Sequence, residues 1–360
     1  MFWQYRRIPR WLLLSLALFG LILAGLIELT EKEIKRSHFD KKLEAAEKMQ
    51  EATEAIKNYR AGTDIFIDYL SDPSGTGLIG QEFSLITTDQ GDLDEKLTSV
   101  NPNFAALALQ YLEQAGVEED DFVAIGWTGS FPGMNIAFLS ALDIIGANAV
   151  IITSLGSSMW GANNPDLTWL HMEQILNKKG IFDYRSIAAS IGGRGDRGGN
   201  ISPKGRETIR SIIYNQAIDI IEEQTLSRSI NRRMELYQRN LPDDEEFSAY
   251  INVGGGLGSI GSSHNLVLIP NGLVKSIPLQ NYPRRGTLIL FGEEGIPVIN
   301  IIDINKIAQK NGLPISPEPL PEPPSGGVFY RLKYNLYAVA GALVVYLTVL
   351  IIFISRKKKG

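Results

Sequence analysis

Two long uncharged apolar runs, one near each end of the chain, constrain this sequence more than any other feature. Trp11 to Ile27 (WLLLSLALFGLILAGLI) carries no charge and is close to the shortest stretch that crosses ~30 Å of hydrocarbon as a helix. Arg6, Arg7 and Arg10 precede it as a signal-peptide n-region would, but no small-x-small cleavage site follows, so the run reads as an uncleaved anchor. Leu336 to Ser355 is a second uncharged run, with Phe329, Tyr330 and Tyr334 before it and Arg356, Lys357, Lys358 and Lys359 after it. Interfacial aromatics and a basic stop describe a second membrane helix.

Two spans with nothing comparable between them put both termini on one side. The short basic tails assign that side to the cytoplasm and the middle of the chain to the outside, against the weaker signal of Lys32, Lys35, Arg36, Lys41 and Lys42 just past the first span. The expected layout is a basic tail (1–10), a span (11–29), a membrane-proximal amphipathic helix (30–60), an extracytoplasmic domain (61–312), a Pro-rich spacer (313–328), a second span (335–355) and a basic tail (356–360). Removing the seven basic residues of the two tails from a net charge of −5 leaves the middle near −12, a field that does not attract nucleic acid. The chain has no cysteine, which excludes disulfides, thiolate metal sites and a cysteine nucleophile.

Leu43, Ala46, Met49, Ala52 and Ile56 recur at helical spacing among charges, the pattern of an amphipathic helix. From Phe122 short apolar runs alternate with helical stretches: FVAIGWTG, NAVIITSLG, SIAASIGG and AYINVGG read as strands, as do TLILF and PVINII further on. PGMNIAFLSALDIIG, PDLTWLHMEQILNKKG with Pro165 near its start, SPKGRETIRSIIYNQA capped by Ser202, and Leu226 to Asn240 read as helices. This alternation predicts an α/β fold, a mostly parallel doubly wound sheet. The segment LPISPEPLPEPPSGG favours an extended spacer of roughly 40 Å at ~3.1 Å per residue.

Four of the strands run into loops rich in Gly, Ser and Asn: residues 128–133, 156–164, 192–200 and 254–259. In a parallel sheet these loops share the edge where ligands bind, and glycine lets backbone N–H groups approach an anion. Candidate ligand-binding residues are therefore Ser157, Asn163, Arg194, Asp196, Arg197, Gly255 and Gly256, with the two arginines suited to carboxylates. Tight strand-to-helix turns need glycine in any case, so the loops are also explained by geometry alone. Ser130 lies where a nucleophile elbow would put a serine, although T-G-S-F-P-G is not G-x-S-x-G. A base must come from His38, His171 or His264. Only His264 follows a glycine loop, which gives a candidate triad of Ser130, His264 and Asp166 or Asp196; otherwise Ser130 is a helix cap.

Three further patterns carry less. Gly256 to Gly261 fits G-x-G-x-x-G without a clear following helix or a downstream acid, Arg194-Gly195-Asp196 spells an adhesion tripeptide inside a loop already explained, and Glu293-Glu294 lacks histidines at ligand spacing. No cofactor and no metal is expected.

The segments TGSFPGMNIAFLSALDIIGA, SLGSSMWGANNPDLTWLHME, SIAASIGGRGDRGGNISPKGRETI and YINVGGGLGSIG together resemble the poly-γ-glutamate system protein family, from about Leu43 to about Ile302. The resemblance implies a bacterial membrane accessory of poly-γ-glutamate synthesis, export or surface attachment, working beside a membrane γ-glutamyl ligase. It brings no catalytic residues with it. The leading expectation is a tethered domain that binds the polymer or its nascent end at the glycine-rich edge. The rivals are a serine-type amidohydrolase or transpeptidase using Ser130, and a scaffold for the synthase subunits.

Overall fold

The computed structural model describes residues 9–356, so the arginines at 6 and 7 and the lysines at 357–359 lie outside the described residues. The chain divides into two units, one built from its two ends (through Ser37, and from Tyr330 onward) and one spanning His38–Phe329. The terminal unit contains helices Arg10–Glu28 and Leu336–Arg356, both long and apolar enough to cross a membrane, with mean hydropathies of 2.2 and 2.5. They touch where Phe19 stacks on Tyr346 at 6.3 Å between ring centroids, beside Gly20, whose missing side chain leaves room for the tyrosine. A side chain at Gly25 or Gly341 would meet nothing within 4 Å. Between the helices lies a feature absent from the sequence reading, a two-stranded antiparallel ribbon pairing Lys32–Lys35 with Tyr330–Lys333.

The His38–Phe329 unit is a mixed α/β domain. Its helices are α1 (Phe39–Ala61), α2 (Leu93–Ser99), α3 (Phe104–Ala115), α4 (Pro132–Ile145), α5 (Trp169–Lys178), α6 (Pro203–Asn215), α7 (Leu226–Arg239), the single turn α8 (Leu257–Ile260), α9 (Thr287–Glu293) and α10 (Ile304–Lys310). Its main sheet has strands β1 (Phe122–Thr128), β2 (Asn148–Ser154), β3 (Ser186–Ser190), β4 (Asp219–Ile221), β5 (Phe247–Val253), β6 (Gly272–Val274) and β7 (Val298–Ile301). The spatial order is β4-β3-β2-β1-β5-β7-β6, parallel throughout except for the edge strand β6. The chain steps outward from β1 to β4, then returns through α7 to place β5 on the other side of β1. Loops after β1 and β5 therefore leave in opposite directions and open a crevice at the strand ends.

β1, β2 and β5 are nearly continuous apolar runs because helices cover both faces of the sheet. On one face Tyr237 of α7 and Phe291 of α9 pack with Tyr250 and Phe247, and on the other Leu170, Ile209 and Ile213 pack on Ala189 and Ile191. The alanine stripe of α1 (Ala45, Ala46, Ala52) is fully buried with Met49 and Ile56.

Three expectations change. TLILF is not a strand but the core of α9, because a short run of uniformly apolar residues has no period to distinguish helix from strand. The helix expected from Pro165 starts only at Trp169, since Asn163–Asn164 and Leu167–Thr168 first form a small hairpin with Pro165 and Asp166 at its turn. The Pro-rich segment is laid along the domain as a strap: Ser316 N–H donates to Thr98 Oγ1 at 2.9 Å, Asn103 Nδ2 to the Pro321 carbonyl at 3.1 Å, and Ser325 N–H to Asn103 Oδ1 at 3.0 Å. Proline removes its own N–H donor, but the carbonyls and the intervening serines still pair.

Candidate functional site

The strand-end crevice is a cleft of about 740 Å³. Thr128, Ser130 and Phe131 after β1 and Gly255 and Gly256 after β5 form its centre, Gly156 and Ser158 after β2 and Arg194 after β3 extend it, and α2 closes it with Glu95 and Lys96. Gly254 sets the turn after β5 at φ 85°, and a side chain there would lie 2.4 Å from Thr128 Oγ1, so only glycine brings the two loops together.

Beneath this floor lies a buried ionic cluster. Arg233 of α7, 1% exposed, donates to the Asp196 carboxylate from Nη2 at 2.9 Å and from Nε at 3.2 Å. Ser190 Oγ and Ser229 Oγ donate to the same carboxylate at 2.7 and 2.5 Å, and Arg233 Nη2 also reaches Ser154 Oγ at 3.0 Å. A charge pair taken this far from water holds only because its remaining hydrogen-bonding positions are filled. It ties the ends of β2 and β3 to α7 and fixes the loop that carries Arg194.

Of the residues singled out in the sequence, Ser130, Arg194, Gly255 and Gly256 line the cleft. The Arg194 guanidinium has no protein partner among the described residues, while its N–H is fixed by Asn200 Oδ1 at 2.9 Å. Asp196 is turned inward as the counter-ion of Arg233 rather than toward a ligand. Arg197 points away from the cleft and donates to the Gln224 carbonyl at 2.9 Å. Ser157 is buried and donates to the Gly129 carbonyl at 3.0 Å, and Asn163 is buried and pairs with both backbone groups of Gln81, so both build the wall.

The candidate triad does not assemble. Ser130 Oγ accepts from Ser158 N–H at 3.1 Å, whereas exposed His264 sits in a 3₁₀ turn against Ser262 Oγ at 3.3 Å. Asp166 is exposed at the hairpin turn with its N–H on Asn164 Oδ1. His171 caps α5 by accepting from Thr168 N–H at 3.1 Å, and burial, opposed by Asp166, holds its pKa below the usual histidine value.

Among the cleft residues that the sequence reading did not single out, Lys96 and its neighbour Ser158 stand out. Lys96 is 2% exposed and makes no ion pair among the described residues; its Nζ lies 2.5 Å from the Ser130 carbonyl, 2.9 Å from Ser158 Oγ and 3.7 Å from the centroid of the Phe131 ring. Burial pulls its pKa down to about 7, against Glu95 and Asp92, which raise it. Burial, then Asp303 and Asp92, push neighbouring Glu95 up to about 6. In DLDEKLTS the lysine looks like one more solvated charge, and the apolar positions Leu93, Leu97 and Val100 suggest a stripe that leaves it beside the core. Arg233 was more legible, because it falls between Ile230 and Tyr237 on the apolar face of α7.

The fold and the cleft together define an α/β domain with a strand-end site at a topological switch point, in a chain that also carries two apolar helices of membrane-spanning length. Compared with known proteins, the chain matches no family model, no curated protein and no solved structure.

Proposed function

We propose that this chain is a two-pass membrane accessory of poly-γ-glutamate biosynthesis, export or surface attachment, with both termini cytoplasmic and its α/β domain outside the membrane. In this reading the domain binds the polymer or its nascent end in the strand-end cleft, beside a membrane γ-glutamyl ligase. The observation that carries it is the convergence of the loops after β1, β2, β3 and β5 on one cleft with an unpartnered guanidinium, Arg194, at its edge. A guanidinium without a protein partner is ready for a bidentate carboxylate. The amides of Gly255 and Gly256 donate to no protein group among the described residues and are free for an amide oxygen or second carboxylate. Asp89, Asp92 and Glu95 line the cleft with α2 and repel carboxylates, so the polymer enters with its charged groups toward Arg194 and its amide backbone toward Lys96. Arg197 and Asp196, already engaged with the protein, take no part.

The test compares cell-attached poly-γ-glutamate in a strain lacking this protein with the same strain carrying the Arg194→Ala form. Loss of attached polymer in the first and a clear reduction in the second are expected. With the full chain in detergent, Arg194→Ala weakens polymer retention about tenfold, the effect of one charge-assisted contact. Unchanged polymer amount and length in the deletion strain would refute the reading. Orientation is checked separately: with no native cysteine, Glu119→Cys on the exposed surface gives a single thiol that an impermeant maleimide labels on intact cells.

A further inference from the structure

We infer that Ser158 and Lys96 form a nucleophile and general-base pair that makes the cleft an acyl-transfer site for amide or ester carbonyls. This deepens the reading above by naming a reaction for the same cleft, and it rests on that reading only for the identity of the substrate as a γ-glutamyl amide.

Three observations carry it. Lys96 is buried with no carboxylate in ion-pair reach among the described residues, a position that a permanent cation does not hold cheaply and a neutral amine does. Its Nζ has two oxygen neighbours of different kinds: the Ser130 carbonyl can only accept, and Ser158 Oγ can donate. A neutral amine satisfies both by giving one N–H to the carbonyl and receiving the Ser158 hydroxyl proton on its lone pair, the arrangement that activates a serine. Ser158 and Ser130 both open on the cleft, and Ser158 N–H on Ser130 Oγ fixes the two serines relative to each other at 3.1 Å.

The surroundings hold the lysine in place. A side chain at Gly91 would lie 2.5 Å from the Met159 carbonyl and 3.3 Å from Lys96 Cε, so glycine there lets the segment before α2 press the lysine stem against the loop after β2. The Phe131 ring below Nζ stabilises the ammonium that forms during reaction. The ionisable groups that act on Lys96 are Asp92 and Glu95 of its own segment. Glu95 is in turn influenced by Asp303, which Lys306 pairs at 2.7 Å, and Asp89 and Arg194 line the same cleft.

In the reaction, Ser158 Oγ bonds to the carbonyl carbon as its proton passes to Lys96 Nζ, and the carbonyl π pair moves onto oxygen. Collapse of the adduct restores the C=O bond and breaks the C–N bond, and the Nζ proton goes to the departing nitrogen. The ester left on Ser158 is then attacked by water, giving a carboxylic acid, or by an amine, giving a new amide. The incoming proton passes through Lys96 back to Ser158 Oγ.

The probe is p-nitrophenyl acetate with the full-length chain in detergent. A burst of nitrophenolate stoichiometric with protein is expected, with an acetyl group mapped by mass spectrometry to Ser158 and a burst rate rising with pH around a midpoint near 7. Ser158→Ala abolishes the burst, and Lys96→Met slows it by at least ~100-fold, the general-base contribution. Lys96→Arg, permanently cationic and so unable to take the proton, slows it likewise, and His264→Ala leaves it unchanged. Near-ultraviolet circular dichroism of the Trp127–Trp169 pair reports whether each variant is folded. An unchanged burst in Ser158→Ala, absence of acetyl-Ser158 in the folded wild type, or a folded Lys96→Met within threefold of wild type overturns the inference. Polymer retention without an acyl-enzyme sinks this inference alone, and an acyl-enzyme without polymer binding sinks only the polymer reading.

Discussion

The buried Arg233–Asp196 pair sets a coupling that can be measured without knowing what the protein does. Asp196→Asn keeps the shape of the side chain but leaves the guanidinium, 1% exposed, without a counter-charge. Arg233→Met leaves a carboxylate, 2% exposed, facing only the hydroxyls of Ser154, Ser190 and Ser229. Breaking one side of such a pair costs about 3–5 kcal/mol. The double variant leaves no buried charge, and its serines can pair among themselves, as Ser190 Oγ and Ser154 Oγ already do at 3.3 Å. It is expected within ~2–4 kcal/mol of wild type, where the two single losses would sum to ~6–10, so the coupling is at least about 2 kcal/mol. The assay is denaturant and thermal unfolding of the full chain in detergent, followed by tryptophan fluorescence. At ~2–4 °C per kcal/mol each single variant melts roughly 6–20 °C early. Single losses below ~1 kcal/mol, or losses that add to within ~0.5 kcal/mol, would refute the claim that the pair is buried and mutually dependent.

Three further outcomes are expected. Burial lowers the Lys96 pKa in the folded chain, so between about 7 and the ordinary lysine value the unfolded chain binds more protons and the Lys96 contribution to stability rises with pH. The stability difference between wild type and Lys96→Met, measured from pH 6 to 10, should therefore shift in favour of wild type above pH 7 and be flat below it. Gly161→Ala would place a methyl 2.2 Å from Ser157 Oγ and 2.7 Å from the Ser130 carbonyl, and should lower stability by ~1–3 kcal/mol in denaturant titrations. Asn103→Ala removes two of the strap contacts, to Pro321 and Ser325, and should speed proteolytic cleavage within residues 313–328 with little change in melting temperature.

Much of the fold was legible because period and punctuation agreed. The terminal helices announce themselves by length and lack of charge, and β1, β2, β3 and β5 run into glycine-rich loops, whereas the short β4 has no glycine beside it and went unread. What escaped was set by distant partners. The ribbon of Lys32–Lys35 with Tyr330–Lys333 joins segments nearly the whole chain apart, and the Pro-rich strap is held by Thr98 and Asn103, which no local pattern connects to it. At the site the shared edge was visible but the chemistry was not. Asp196 in a glycine-rich loop looks like a ligand contact until Arg233 is found beneath it. Lys96 looks solvated until α2 is seen to press it into the cleft.

The strand order also governs when the site comes into being during synthesis. The two central walls of the cleft, at Ser130 and at Gly255, lie on neighbouring strands but more than a hundred residues apart in the chain. Until Phe247–Val253 inserts beside Phe122–Thr128, β1 is an unpaired edge, and no cleft exists for a ligand to enter. A nascent chain emerging through β4 already carries Lys96, Ser130 and Ser158 but lacks the wall at Gly255 and Gly256, and its β1 edge is exposed to pairing with other chains. Completion of the cleft therefore waits on a pairing between strands more than a hundred residues apart, the kind of long-range contact whose loop-closure cost slows folding.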